Sequence, residues 1–341
     1  MSSSDHESRF APESDIAQIP EDLPPVQPPS AGFIIQLFVV PGLIVLAIVG
    51  VYLVFGKLAT GGQDWHEQVT DLRHPNEHRR WRGALGLAQI LTADQEQGAS
   101  GQHLAQNREI AQALSDMLSE EIKRGSQSED DLKYQAFLAS TLGKLDLPEI
   151  VVPSLVAAMQ PGIDREVRKN AIGSIAVMAD RFARRQERLI QPGLSEQIQV
   201  ASRDADPLIR QLAAYTLGLV ADEGAKSRLE VLLGDTDPDT RVNAAIGLAR
   251  GGDSRGVAVF LEVLKDASKP NQPQTSAEYE QFLALKNCIK AVEDTAAGFT
   301  GEQRQELIAA LEPIAADYRE PLIRVAAKTT LRVLKESRLE N

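Results

Sequence analysis

Downstream of residue 70 the apolar positions recur at the three-and-four spacing of helices with one buried face. Ala213, Ala214 and Leu217 form one such stripe, and Ala244, Ala245 and Leu248 form the next. Each stripe follows an Asp-Pro pair. Asp206 and Asp237 are read as helix caps that accept from the first free backbone N–H groups, and Pro207 and Pro238 take the first helical position, where a missing donor costs nothing. A short turn then leads to a second amphipathic helix. It carries Leu229, Leu232 and Leu233 between Ala225 and Leu233 in one copy, and Phe260, Leu261 and Leu264 between Val257 and Leu264 in the other.

The two stripes belong to an internal repeat. Asp204 to Gly218 returns 31 positions later as Asp235 to Ala249, with Asp, Asp, Pro, Arg, Ala and Ala in register. A helical period in the low thirties predicts a stack of helical hairpins that bury a continuous core only against their neighbours. Looser copies extend the array. Pro321 to Arg324 repeats Pro207 to Arg210 letter for letter and continues through Ala327 to Leu331, and Val167 and Arg168 lead to Ala171 and Ile175. Gln135, Leu138, Ala139, Leu142 and Gly143 mark a unit without the Asp-Pro or the Arg. Pro75, Arg80, Gly83, Ala84 and Leu87 mark an atypical first unit, with its helix starting at Pro75. The pattern gives about six hairpins and a closing helix over roughly residues 70 to 338.

With these residues the chain resembles the HEAT-repeat superfamily, especially the short variant whose helix A reads Asp-x-Asp-Pro-x-x-Arg-x-x-Ala-Ala-x-x-Leu-Gly and which also occurs in phycobiliprotein lyases. The resemblance implies an all-α fold, a HEAT/armadillo-like solenoid wound as an α-α superhelix. It also implies a polar ladder between neighbouring repeats, built from Asp204 and Asp235 with Arg210 and Arg241. The structural repeat positions are then Asp204, Asp206, Pro207, Arg210, Asp235, Asp237, Pro238, Arg241, Pro321 and Arg324.

A second pattern stands upstream. Phe33 to Phe55 is apolar and uncharged, interrupted only by Gln36 and by Pro41 and Gly42. As a helix its length is roughly 34 Å, enough to cross a hydrocarbon core of about 30 Å. It predicts one transmembrane helix at 33–55. Residues 1–32 hold six acids against Arg9 alone, with six prolines, and predict a disordered tail. A juxtamembrane linker at 56–69 and the solenoid at 70–341 complete the layout. Lys57, Arg73, Arg79, Arg80 and Arg82 follow the apolar run, so the positive-inside rule places the solenoid in the cytoplasm.

Composition removes several functions. The formal net charge is -12, no domain-wide basic face exists, and nucleic acid is not an expected partner. The single cysteine, Cys288, lies on a helical pattern with Leu285 and Ile289 and reads as a small buried hydrophobe. His74 and His78 flank a His-x-x-Glu-His match to zinc peptidases, but a helix starting at Pro75 leaves His74 outside it, so the imidazoles do not share a face. His66 with Glu67 resembles the His-Glu pairs of iron-binding HEAT-repeat hydroxylases, yet His6 and His103 do not supply the further pairs. Nothing marks a bilin site. In the first unit Arg80 takes the ladder position, Trp81 closes the open end of the core, and Arg79 and Arg82 are solvated.

No nucleophile, metal cluster or phosphate loop rises above background. The sequence therefore predicts a single-pass membrane protein whose repeats form a non-catalytic scaffold for a protein partner, without cofactor or metal. The alternatives are a cofactor-handling or metal-dependent enzyme of lyase or hydroxylase type, and a structural subunit of an envelope complex.

Overall fold

Helix starts follow the caps. Asp206 accepts from Leu208 N at 2.9 Å and Asp237 from Thr240 N at 2.7 Å, with Pro207 and Pro238 at the first helical position. Asn76, Ser128 and Asp164 open three further helices in the same way, each with a side-chain oxygen on a free N–H.

The computed structural model describes residue 32 and residues 41–51, 64–267 and 276–336. The chain divides into two units, 1–62 and 63–341. In the first, residues 41–51 are helical and their large aliphatic side chains are exposed. The remainder of the predicted span at 33–55, and the tail at 1–32 apart from its last residue, lie outside the described residues. Among the described residues no helix is long and apolar enough to cross a membrane.

The second unit contains fourteen α-helices and no strand among the described residues. After α1 (Trp65–Leu72) come six hairpins: α2 (Glu77–Gln97) with α3 (Arg108–Arg124), α4 (Glu129–Leu142) with α5 (Pro148–Ala158), α6 (Arg165–Arg184) with α7 (Leu194–Ala201), α8 (Pro207–Val220) with α9 (Glu223–Leu232), α10 (Pro238–Arg250) with α11 (Val257–Lys265), and α12 (Ser276–Asp294) with α13 (Gly301–Asp317). The closing helix is α14 (Pro321–Glu336). The even-numbered helices carry the repeat motif and stack on one another as one layer, and the odd-numbered helices form the second layer.

Between the layers the apolar stripes are buried as their spacing demands. Ala213, Ala214, Leu217, Ala244, Ala245 and Leu248 all lie in the core, as do Leu229, Leu232, Phe260, Leu261 and Leu264. Leu233 falls just past the end of α9 and is only partly buried. One cluster of core residues runs from Val69 to Leu248 and a second from Val242 to Leu334, so the two meet on α10.

Small residues set the stacking distance. A Cβ on Gly218 of α8 would stand 2.5 Å from Gly247 Cα of α10, and a Cβ on Gly143 would stand 2.6 Å from Ser174 Oγ of α6. Counting from the ladder arginine, the eighth position thus faces the following repeat and the sixth faces the preceding one. The sixth position is Gly86, Thr141, Ser174, Thr216, Gly247 or Thr330, all buried, and in α12 the partly buried Ala291. At the eighth position of α14 stands Arg332, and at its fourth stands Lys328, both exposed where α8 has buried Gly218 and Ala214. The last helix is therefore finished with a charged face.

Two sequence boundaries move. The solenoid starts before residue 70, because α1 falls largely within the stretch assigned to the linker and buries Val69 and Leu72. Gly83 and Gly86 make room for it: a Cβ at either would collide with Gln68. The first motif helix does not start at Pro75. Asn76 accepts from Arg79 N at 3.2 Å and wins as the cap, which leaves Pro75 and His74 in the preceding turn.

Candidate functional site

The repeat motif builds a double row of polar contacts across the turns that precede α6, α8 and α10. Arg210 Nη1 donates to the carbonyls of Asp204 and Ala205 in its own turn, at 3.0 and 3.1 Å. Its Nε and Nη2 donate to Asp235 in the next turn at 3.0 and 2.9 Å. Arg168 likewise donates to Ile163 O behind it and to Asp204 ahead of it. Beside this row, Arg165 pairs with Asp206 and Gln211 Nε2 donates to Asp237 at 3.0 Å. Burial is the largest influence on Asp235 and opposes its ionisation, but the Arg210 guanidinium, the Asp237 N–H and Arg228 together hold the carboxyl below the usual range. Burial likewise opposes ionisation of Asp206, and Arg165, the Leu208 N–H and Arg168 together hold that carboxyl below the usual range.

The ladder stops where the turn sequence stops. Arg241 keeps its own-turn bond, to Asp235 O at 3.1 Å, but no Asp-x-Asp-Pro turn follows α11, and its Nη2 instead donates to Glu262 on α11 at 2.6 Å. In α12 the arginine position is taken by buried Leu285, three places ahead of buried Cys288. Arg324 donates to Tyr318 O and Arg319 O, and among the described residues it meets no carboxylate. Pro321 opens α14 as Pro207 opens α8. At the interruption a cavity of about 280 Å³ opens over Val242, Val259, Phe282, Leu285 and Tyr318.

In the first unit the arginines are used differently from the sequence expectation. Arg79 and Arg82 are not simply solvated: both donate to Asp71 of α1, at 2.6 and 2.7 Å, and Asp71 is 2% exposed. Arg82, with Arg79 beside it, keeps that carboxyl below its ordinary value. Trp81 does not close the end of the core. It is 38% exposed and packs against Tyr134 and Phe137 of α4, while α1 covers the end. Arg80 does sit at the ladder position, with Nη1 on Pro75 O and Nη2 3.8 Å from Glu121. Glu121 is fully buried, and burial pushes its carboxyl up against the pull of Arg124 and Arg80. Gln135, in the arginine position of α4, donates to Glu121 O at 3.4 Å.

The histidines stay apart in role. His74 Nδ1 accepts from Asn76 N in the turn, His66 stacks on Trp65 beside Asp64, and among the described residues no group of three or more His, Cys, Asp or Glu is placed to hold a metal. Cys288 is buried with its thiol pushed well up by that burial, so it is an inert core side chain.

The outer face of the motif layer is more open. Between α4, α6 and α8 lies a groove of about 450 Å³ over Gly143, Gly173, Val177 and Leu212. A second, of about 590 Å³, lies between α6, α8 and α10 over Leu219 and Gly218. Val177 on α6 is 54% exposed and lines the first of them. Further along the same layer Trp81 and Leu85 are also exposed. The sequence reading did not single out this face, whose residues come from several repeats and share no short motif.

Residues 194–277, from α7 to the start of α12, match the family model for HEAT repeats. The uncharacterized phycocyanin operon protein Z of Pseudanabaena tenuis (strain PCC 7409) is 23% identical over 206 residues, which is 60% of this chain and 88% of that protein. Among solved structures, that of YIBA_ECOLI is similar at a TM-score of 0.46 and 17% identity, over 81% of this chain and 84% of the other. The complex of CpcE and CpcF of phycocyanin lyase from Nostoc sp. PCC7120 is similar at a TM-score of 0.42 and 14% identity, over 81% of this chain and 95% of the other.

Proposed function

We propose that this chain is a membrane-tethered, non-catalytic scaffold that binds a protein partner across the outer face of its motif-bearing helices. The observation that carries the reading is Val177, an aliphatic side chain 54% exposed in the groove between α4, α6 and α8. That groove sets Val177 and Leu212 beside Lys144, Lys169 and Arg181, the combination of apolar surface and polar rim found in protein interfaces. From Arg168 to Asp237 the polar residues that the motif repeats are occupied in holding turn to turn, which favours a supporting rather than a chemical role for them. The tether rests on the uncharged run from Phe33 to Phe55, within which residues 41–51 are helical and expose Leu43, Ile44, Leu46 and Ile48.

The test is photo-cross-linking in cells with the full chain, placing the cross-linker at Val177 and, separately, at Val231, which is similarly exposed on the other layer. A discrete protein adduct from position 177 and none from 231 is the expected result. No adduct from position 177 rejects the scaffold reading.

A further inference from the structure

The two grooves beside α6 carry a charge opposite in sign to the chain. The whole sequence has 36 basic and 48 acidic side chains, yet the residues lining these grooves include seven basic and three acidic ones. The three acids are already engaged: Asp180 receives Arg184, Glu223 receives Lys226, and Glu187 receives Arg185. Lys144, Arg188 and Arg250, by contrast, have no carboxylate partner among the described residues. Arg250 lies only over the Tyr215 ring, at 5.3 Å.

The backbone of the larger groove is unusual too. Gln186 and Ala221 end α6 and α8 in the left-handed conformation at φ 60° and 52°, and both line this groove. Glycine would take that conformation without strain. The strain supports the assignment without carrying it.

We infer that this strip, running across α4, α6, α8 and α10, takes an extended acidic segment of the protein partner, with apolar side chains over Val177, Leu212 and Leu219 and carboxylates toward Lys144, Arg188 and Arg250. The inference rests on the scaffold reading and adds the chemistry of what is bound. Length fits: three helix-to-helix steps of 8–10 Å span about 24–30 Å, the reach of roughly eight extended residues. Alternation fits as well, because successive side chains of an extended chain point to opposite sides. A nucleic acid would also meet the cations, but the residues lining the grooves include no aromatic ring on which its bases could stack.

The probe is a fluorescein-labelled eight-residue peptide alternating leucine and glutamate, titrated by anisotropy against the full chain. Its counterpart alternates leucine and lysine, and a single-stranded oligonucleotide serves as the third ligand. Two triple variants of equal net charge are compared: Lys144→Glu with Arg188→Glu and Arg250→Glu in the strip, and Lys123→Glu with Lys265→Glu and Lys328→Glu outside it. All six side chains lack a carboxylate partner, and circular dichroism checks that both variants keep their helix. Saturable binding of the acidic peptide, weakened at least tenfold in the strip variant and less than twofold in the control, is expected. Equal loss in both variants, equal or tighter binding of the lysine peptide or the oligonucleotide, or no saturable binding of the acidic peptide overturns the inference. If the cross-link from position 177 persists while the acidic peptide fails, the scaffold reading stands and only the acidic chemistry falls.

Discussion

Arg210 serves its own turn and the next one at once, so its removal strands acceptors on both sides. Arg210→Ala leaves the Asp235 carboxylate and two turn carbonyls short of donors and is expected to cost on the order of 1–3 kcal/mol of unfolding free energy. Arg79→Ala is expected to cost less, because Arg82 still reaches Asp71, but the double change Arg79→Ala with Arg82→Ala should lower the melting temperature about as far as Arg210→Ala. Thermal melts of the three proteins check the order. The carboxyls of Asp235, partly buried, and Glu121, fully buried, also respond oppositely to pH. Asp235 has a lowered folded value, so its stabilisation is present above the ordinary carboxylate range and is lost as pH falls through that folded value. Glu121 has a raised folded value, so its contribution is present below the ordinary glutamate range and is lost as pH rises through the raised one. Glu121→Gln should therefore flatten the decline in denaturant midpoint as pH rises above the ordinary glutamate range, and Asp235→Asn the decline as pH falls below the ordinary carboxylate range. The Asp-x-Asp-Pro signal made Arg210 legible in sequence. Arg79 and Arg82 were not, because their partner lies on a helix the sequence did not reveal.

At the scale of helices, spacing decides which glycines are needed. Gly218→Ala pushes a Cβ against the backbone of α10, which at 2.5 Å cannot be relieved by a side-chain rotation, and overpacking of this kind costs typically 1–3 kcal/mol. Gly173→Ala meets nothing within 4 Å and should instead gain up to about 1 kcal/mol of helix propensity. Urea unfolding of the two variants should move in opposite directions. Helix order and the hairpin count were readable because most helix starts carry a side-chain cap or a first-turn proline and the core stripes keep their period. Helix α1 was hidden: it has eight residues, buries only Val69, Asp71 and Leu72, and follows a region without periodicity. The basic strip was hidden for another reason, since Lys144, Arg188 and Arg250 are separated by 44 and 62 residues and only stacking brings their helices side by side.

For the whole molecule the proposed tether carries an expectation about which side of a membrane the array faces. The tail holds only Arg9 as a basic residue, whereas Arg73, Arg79, Arg80 and Arg82 begin the array, and this asymmetry favours a cytoplasmic array. With Cys288 replaced, single cysteines at Ser4 and, separately, at Ser100 report it through an impermeant thiol reagent on intact cells. Labelling at position 4 with protection at 100 is expected, and the reverse pattern moves the array, and the search for its acidic partner, to the other side.

Lys328 and Arg332 give the array a fixed number of hairpins. Every earlier motif helix presents small or apolar side chains at the corresponding fourth position, and α8 and α10 do so at the eighth as well; α14 presents two charged ones. Evolution by duplication, or a designer lengthening the protein, therefore cannot simply append a unit after Glu336. Growth has to occur by insertion upstream of Pro321, where each surface still matches its neighbour, with the terminal helix carried along unchanged.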